Sequence, residues 1–276
     1  MIEFELKCSP DVLAINLLLR GKLGEHLQAH CWKTYTKDCE LAQYDWQAFL
    51  KNVSETNELL NEIKSSKEFA ENLEACEKNL ERIELNLKRN KNRIDTFLKN
   101  VCGVDFSIPK QTVYIVALDG RNSGNNVILW GHPKGLRDPY YDLVYIYHEA
   151  LHSMFNKIKD QFKLRDTWEF DHVLIQYLTD IELARLLTGN RYDTHAYLEE
   201  LEYKCYPYVQ LFLNKTPAQL KKENSTSKIK VGFNKDKYAH LQETFADFNI
   251  VEFYKWILTN RNDILSTKIE KHIVID

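Results

Sequence analysis

The chain has 276 residues, 44% hydrophobic and 28% charged, with a formal net charge of −3. At this length folding should bury roughly 75% of the unfolded chain's surface, which is core enough for one large domain or two small ones. Nine glycines and six prolines exclude collagen-like and linker-like chains and favour long helices, and the faintly acidic balance lacks the basic footprint of a nucleic-acid partner.

In chain order, residues 1–7 alternate Ile2, Phe4 and Leu6 with Glu3, Glu5 and Lys7, the pattern of a half-buried strand. Ser9, Pro10 and Asp11 then open a helix. No basic segment precedes the apolar stretch Val12 to Leu19 and no small-residue cleavage site follows it, so it is not read as a signal peptide. No window reaches 18 consecutive apolar residues, so no membrane span is expected. The six cysteines form no CxxC pair and read as reduced thiols of a cytoplasmic protein.

From Leu41 to Val101 there is neither proline nor glycine. Phe69, Leu73, Cys76, Leu80, Ile83, Leu87, Asn90, Ile94, Phe97 and Val101 recur at steps of four and three, the seam of a helix packed in coiled-coil fashion. Phe49, Val53, Leu59, Leu60 and Ile63 suggest a second helix, with a break at Lys64–Lys67. The expectation is a helical hairpin that packs on the rest of the chain.

Gly103 and Pro109 end that region. Thr112 to Leu118 and Asn126 to Trp130 read as two strands joined by a turn at Asp119–Asn125, hence a β-hairpin. Helix is expected from about Asp142 onward. A polar stretch at 221–230 separates the middle helices from a last helical segment over about Lys235 to Thr259. The predicted fold is α+β and mainly helical, with a small β-sheet. The N-terminal strand and helical subdomain would span residues 1–105, and the remaining domain residues 106–276.

Residues 148–152 read HEALH. On a helix His148 and His152 face the same way, one turn apart. Two neutral imidazoles so placed can bind one Zn²⁺. Glu149 then stands beside the metal, where it can take a proton from a zinc-activated water and pass it to a leaving amine. The run 142–147 before the motif is apolar and aromatic, as a buried active-site helix requires. A preceding strand could offer its edge to an extended peptide.

With this motif, the strands before it and a further helix after it, the sequence over about residues 110–255 resembles the zincin metallopeptidases. A catalytic zinc needs a third protein ligand and one open position. The metzincin spacing would put a histidine at position 158, which is Ile158. Peptide deformylases take a cysteine from an upstream Gly-Cys loop, but Cys102 here precedes its glycine. The gluzincins remain, and the run His240 to Asp247 looks like their Glu-x-x-x-Asp element. The resemblance implies Glu243 as the third zinc ligand. It also implies Asp247, on the same helix face, as hydrogen-bond partner of a ligand histidine.

His172 is the alternative ligand or a site-lining group. It lies on a polar stripe of Glu169, Gln176, Thr179 and Asp180 along an otherwise apolar helix. Glu182 is a weaker ligand candidate, and Tyr238 and His240 could stabilise an oxyanion. His26, His30, His195 and His272 read as structural or exposed.

The expected activity is zinc-dependent hydrolysis of a peptide or protein substrate. The alternative is a catalytically inactive zincin fold that acts as a metal-binding regulator or interaction protein.

Overall fold

The computed structural model describes residues 2–54, 56–103, 109–116, 120–124, 126–163, 167–226, 229–231 and 235–271. Met1, residues 117–119, Asn125, His272 and part of the polar stretch 221–230 lie outside the described residues. The chain is mainly helical with a small sheet, as its low glycine and proline content predicts. It divides into two compact units. The first comprises Ile2–Lys91 and Ile108–Ser153; the second comprises Met1, Asn92–Ser107 and Met154–Asp276. Among the described residues no helix is long and apolar enough to cross a membrane.

The first unit opens with β1 (Phe4–Lys7) and α1 (Pro10–Leu19). The α1 start follows from its residues. Ser9 Oγ accepts from Val12 N at 3.5 Å, and Pro10 occupies the first helical turn, where its missing N–H costs nothing. There follow α2 (Glu25–Thr34), α3 (Thr36–Tyr44), α4 (Trp46–Asn52) and α5 (Glu58–Lys64), and then the long α6 (Lys67–Cys102).

The expected helical hairpin is therefore a correction. Two short helices stand where the second helix through Phe49 to Ile63 was predicted, because Asn57 caps a new helix start inside it by accepting from Leu60 N. The predicted break at Lys64–Lys67 is present. The seam of α6 also departs from a strict heptad. Phe69, Cys76, Ile83, Leu87 and Ile94 are buried, but the stripe then continues through Leu98 and Cys102 in place of Phe97 and Val101. A straight helix drifts about 20° per heptad against a 3.5-residue repeat, which moves the buried face by one position over this length.

Three strands follow: β2 (Gln111–Ile115), β3 (Gly120–Gly124) and β4 (Val127–Gly131). The sheet order is β1-β2-β4-β3. β1 pairs with β2 in parallel, with Phe4 opposite Gln111, and β2 pairs with β4 in parallel, with Val113 opposite Ile128.

The hairpin predicted between the segments at 112–118 and 126–130 is thus corrected too. Those two segments run parallel. The antiparallel partner of β4 is β3, built from residues read as turn, with Gly124 opposite Val127. Asn126 closes that tight connection at φ +62°, a left-handed conformation that asparagine tolerates. Gly131 is required where β4 passes β2, since a Cβ there would come 2.1 Å from Val116 O.

On one face of the sheet, Leu129, Val116 and Tyr114 join the core made by α1 to α5, with Leu13, Leu17, Cys31, Cys39, Phe49 and Leu60 among its buried members. The other face meets the first half of α7 (Pro139–Phe162), where Phe4 packs edge-on against Tyr147 at 5.0 Å.

The second unit holds α8 (Trp168–Gln176), which continues through a π-wound stretch at Tyr177–Leu183 into α9 (Ala184–Thr188). After it come α10 (Glu199–Phe212), α11 (Pro217–Thr226), β5 (Ile229–Val231) and α12 (Lys235–Phe245). The unit ends with α13 (Ile250–Thr259), α14 (Arg261–Leu265) and β6 (Ile269–Lys271), the last antiparallel to β5. Stacked Phe212 and Phe253, 4.3 Å apart at 7°, bring α10 against α13.

Candidate functional site

The motif helix α7 begins as expected of a helix entering a core. Asp138 Oδ1 accepts from Tyr140 N at 3.0 Å, and Pro139 follows the cap. Tyr141 to His148 are all buried, so this part of α7 is covered on every side.

One polar group inside it, Asp142, is fully used. It accepts from Trp130 Nε1 at 2.8 Å and pairs with Arg82 Nη2 at 2.5 Å. Gly135 leaves room for this carboxylate, as a Cβ there would fall 2.1 Å from Asp142 Oδ1. Trp130 in turn stacks on Tyr145 at 5.8 Å and 11°. The rings of Tyr141, Tyr145, His148 and His152 then follow one another along the helix, with centroid spacings of 4.5, 5.8 and 5.1 Å.

His148 is buried and His152 half-buried, and their rings stand at 65° to each other. Two imidazoles on one tetrahedral ion, with nitrogens about 2.0–2.1 Å from it and ring centres about 1.2 Å farther, need centroids about 5.2 Å apart. The observed 5.1 Å is close to that spacing. Glu149, half-buried, adjoins the pair. One turn beyond it, Ser153 Oγ donates to Gln111 Oε1 at 3.2 Å, tying this turn of α7 to β2. The donor chemistry of His148 and His152 thus suits zinc, and both side chains belong to the first unit. Among the described residues no group of three or more His, Cys, Asp or Glu side chains is disposed to hold a metal ion.

The other predicted site residues belong to the second unit. Glu243 is exposed in the last turn of α12. Asp247 lies outside that helix, which ends at Phe245, so the shared helix face expected of Glu243 and Asp247 does not exist. The break has a definite cause. Asn249 caps α13 in a reciprocal box, accepting from Val251 N and Glu252 N while Glu252 Oε2 accepts from Asn249 N. The predicted helix over Lys235 to Thr259 is accordingly two helices. Tyr238 is buried, 6.1 Å from the Tyr208 ring, and His240 is exposed.

His172 is half-buried on α8, its Nδ1 2.9 Å from Trp168 O. The polar stripe it heads runs inward, with Gln176, Thr179 and Asp180 all buried. Thr179 Oγ1 donates to Asp180 Oδ1 at 2.9 Å, and His195 N donates to Gln176 Oε1 at 3.1 Å. Glu182 pairs with Arg185 at 2.9 Å.

His195, expected to be structural or exposed, has its ring 6.0 Å from that of His172 and stacks on Tyr197 at 5.2 Å. No sequence spacing links 172 to 195. Also absent from the expected site residues are Asp171, which is buried between Lys159 at 2.6 Å and Tyr254, and the ring stripe of Tyr141 and Tyr145. The stripe did have a signal, since 141, 145, 148 and 152 share one helical face.

Neither a family model, nor a curated protein, nor a solved structure matches this chain.

Proposed function

We propose that the protein is a zinc-dependent metallopeptidase of gluzincin-like organisation, with α7 and its sheet as the zincin-like core. The observation that carries this reading is the His148–His152 pair, whose 5.1 Å ring spacing suits one tetrahedral ion, with a carboxylate at the next position, Glu149. In this reading His148 and His152 hold zinc, Glu243 completes the set with His172 as the alternative, and Asp247 orients a ligand histidine. Bound zinc would supply Lewis acidity, polarising a peptide carbonyl and lowering the pKa of water. Glu149 would accept the proton of the attacking water and return it to the departing amine, a role worth typically 10²–10⁴ in rate. Tyr145 and the stacked Trp130 exclude water behind His148. The six free thiols favour a reducing, cytoplasmic setting.

The test measures zinc content and peptide-library turnover in parallel. Glu149→Gln should retain one zinc per chain and lose at least a hundredfold in turnover. His152→Ala should lose the zinc, and Glu243→Gln, at an exposed position, should weaken zinc binding without disturbing the fold. Turnover by Glu149→Gln equal to the parent's would sink the mechanism. One zinc per chain without turnover in the parent would favour a metal-binding regulator.

A further inference from the structure

A cavity of about 230 Å³ lies in the first unit, between α1, α2, the α3–α4 corner and the sheet. Its apolar wall is formed by Ile15, Leu19 and Leu129, and two half-buried indoles, Trp32 and Trp46, line it. The cavity is open to solvent on one side, and its volume exceeds that of the enclosed cavity of about 150 Å³ known to admit benzene.

Three polar groups complete the lining. Asn16 is 4% exposed, and its Oδ1 has no hydrogen-bond partner. That oxygen is sealed from solvent, so a molecule in the cavity reaches it only once the amide turns. The two ends of its amide exchange by a half-turn about χ2, so Asn16 can present either a donor or an acceptor. Arg20 and Gln43 are exposed and stand where the cavity opens to solvent. A guanidinium at such a rim is a planar fork that matches a carboxylate in two hydrogen bonds. The lining therefore runs from aromatic and apolar walls, past one buried amide, to a cationic mouth.

We propose that this cavity is a binding site for a small planar aromatic carboxylate, of about one ring in size. Its ring enters between Trp32, Trp46 and Leu129. A polar ring substituent or the near edge of the carboxylate meets Asn16, and the anion pairs with Arg20 at the mouth. Offset or edge-on packing against two indoles favours a flat ring over a branched aliphatic group.

Benzoate is the probe, benzyl alcohol its uncharged counterpart, and the reporters are the indole N–H resonances of the full-length chain. Benzoate should shift the Trp32 and Trp46 signals saturably at one equivalent, with a Kd on the order of 1 mM for so small a ligand, and leave the Trp168 and Trp256 signals in place. Benzyl alcohol should bind at least tenfold more weakly. Arg20→Gln, at an exposed position, should lose that tenfold preference while the circular dichroism spectrum is unchanged. Leu19→Trp, which fills the space, should abolish binding. No saturable shift at either indole, equal affinity for benzyl alcohol and benzoate, or full benzoate affinity in Arg20→Gln would overturn the proposal. Zinc content and peptide turnover do not enter these readings.

Discussion

At the scale of single residues, the side chains that cost most to bury show which contacts matter. Glu202 is almost wholly buried on α10, where Thr194 Oγ1 donates to it at 2.6 Å and Arg191 approaches at 3.4 Å. Burial is the stronger influence and raises its carboxyl pKa above the ordinary value, with Asp180 adding to the rise and Thr194 and Arg191 opposing it. An acid whose pKa is higher folded than unfolded binds more protons in the native state between the two values. Its contribution to stability is complete below the unfolded pKa, about 4.3, and is lost as pH rises through the folded one. Glu202→Gln keeps an acceptor for Thr194 and cannot titrate. Urea unfolding of the two proteins from pH 4 to pH 7 should show the wild type losing stability relative to the variant as pH rises. A difference that stays constant would show burial balanced by Thr194 and Arg191, and one that changes the other way would show it outweighed by them. None of this was legible in the sequence, because Glu202 sits in an acidic run, Glu199, Glu200 and Glu202, that reads as a solvated helix start.

Elements were legible where local chemistry acts alone. The α1 start at Ser9–Pro10 and the break at Lys64–Lys67 were read from caps and breakers, and α7 from its continuous apolar run. The parallel pairing of β2 with β4 was not, because pairing is non-local and β3 is made of Gly120, Arg121, Asn122, Ser123 and Gly124, residues with turn chemistry and little strand propensity. The break before α13 had a signal that was passed over: Asn249 followed three residues later by Glu252 is a capping-box signature. That box decides where α12 stops, and hence that Asp247 leaves the helix of Glu243. Asn249→Ala should cost about 1 kcal/mol in urea-derived stability, with an unchanged m-value as the sign that the fold is retained. A neutral result would mean that packing of Phe253 and Ile257, both fully buried, holds α13 without its cap. The HEALH pair itself was fully legible, as a helical spacing. A third donor could not be chosen in the same way, because spacing along one helix says nothing about residues far along the chain.

At the scale of the molecule, the six thiols mark both units. Cys8, Cys31, Cys39 and Cys76 belong to the first, Cys102 and Cys205 to the second, and none is in a disulfide. Burial pushes Cys31 and Cys39 up to about 11 and lifts Cys102 and Cys205 as well. A thiol at about 11 is ionised to about one part in a thousand at pH 8, and only the thiolate reacts. Cys8, half-buried, should therefore be the first labelled by a maleimide in the native chain, with the other five silent until they are exposed by unfolding. The boundary between the units falls inside α6, at Lys91, and inside α7, at Ser153. Each of these two helices thus contributes residues to both units, the larger part to the first. Pulse labelling across a urea series, read by mass spectrometry, should show the five buried cysteines losing protection at one common urea concentration. Earlier labelling of Cys102 and Cys205 than of Cys31, Cys39 and Cys76 would instead make the second unit a separate cooperative block, opening at lower free energy than the first.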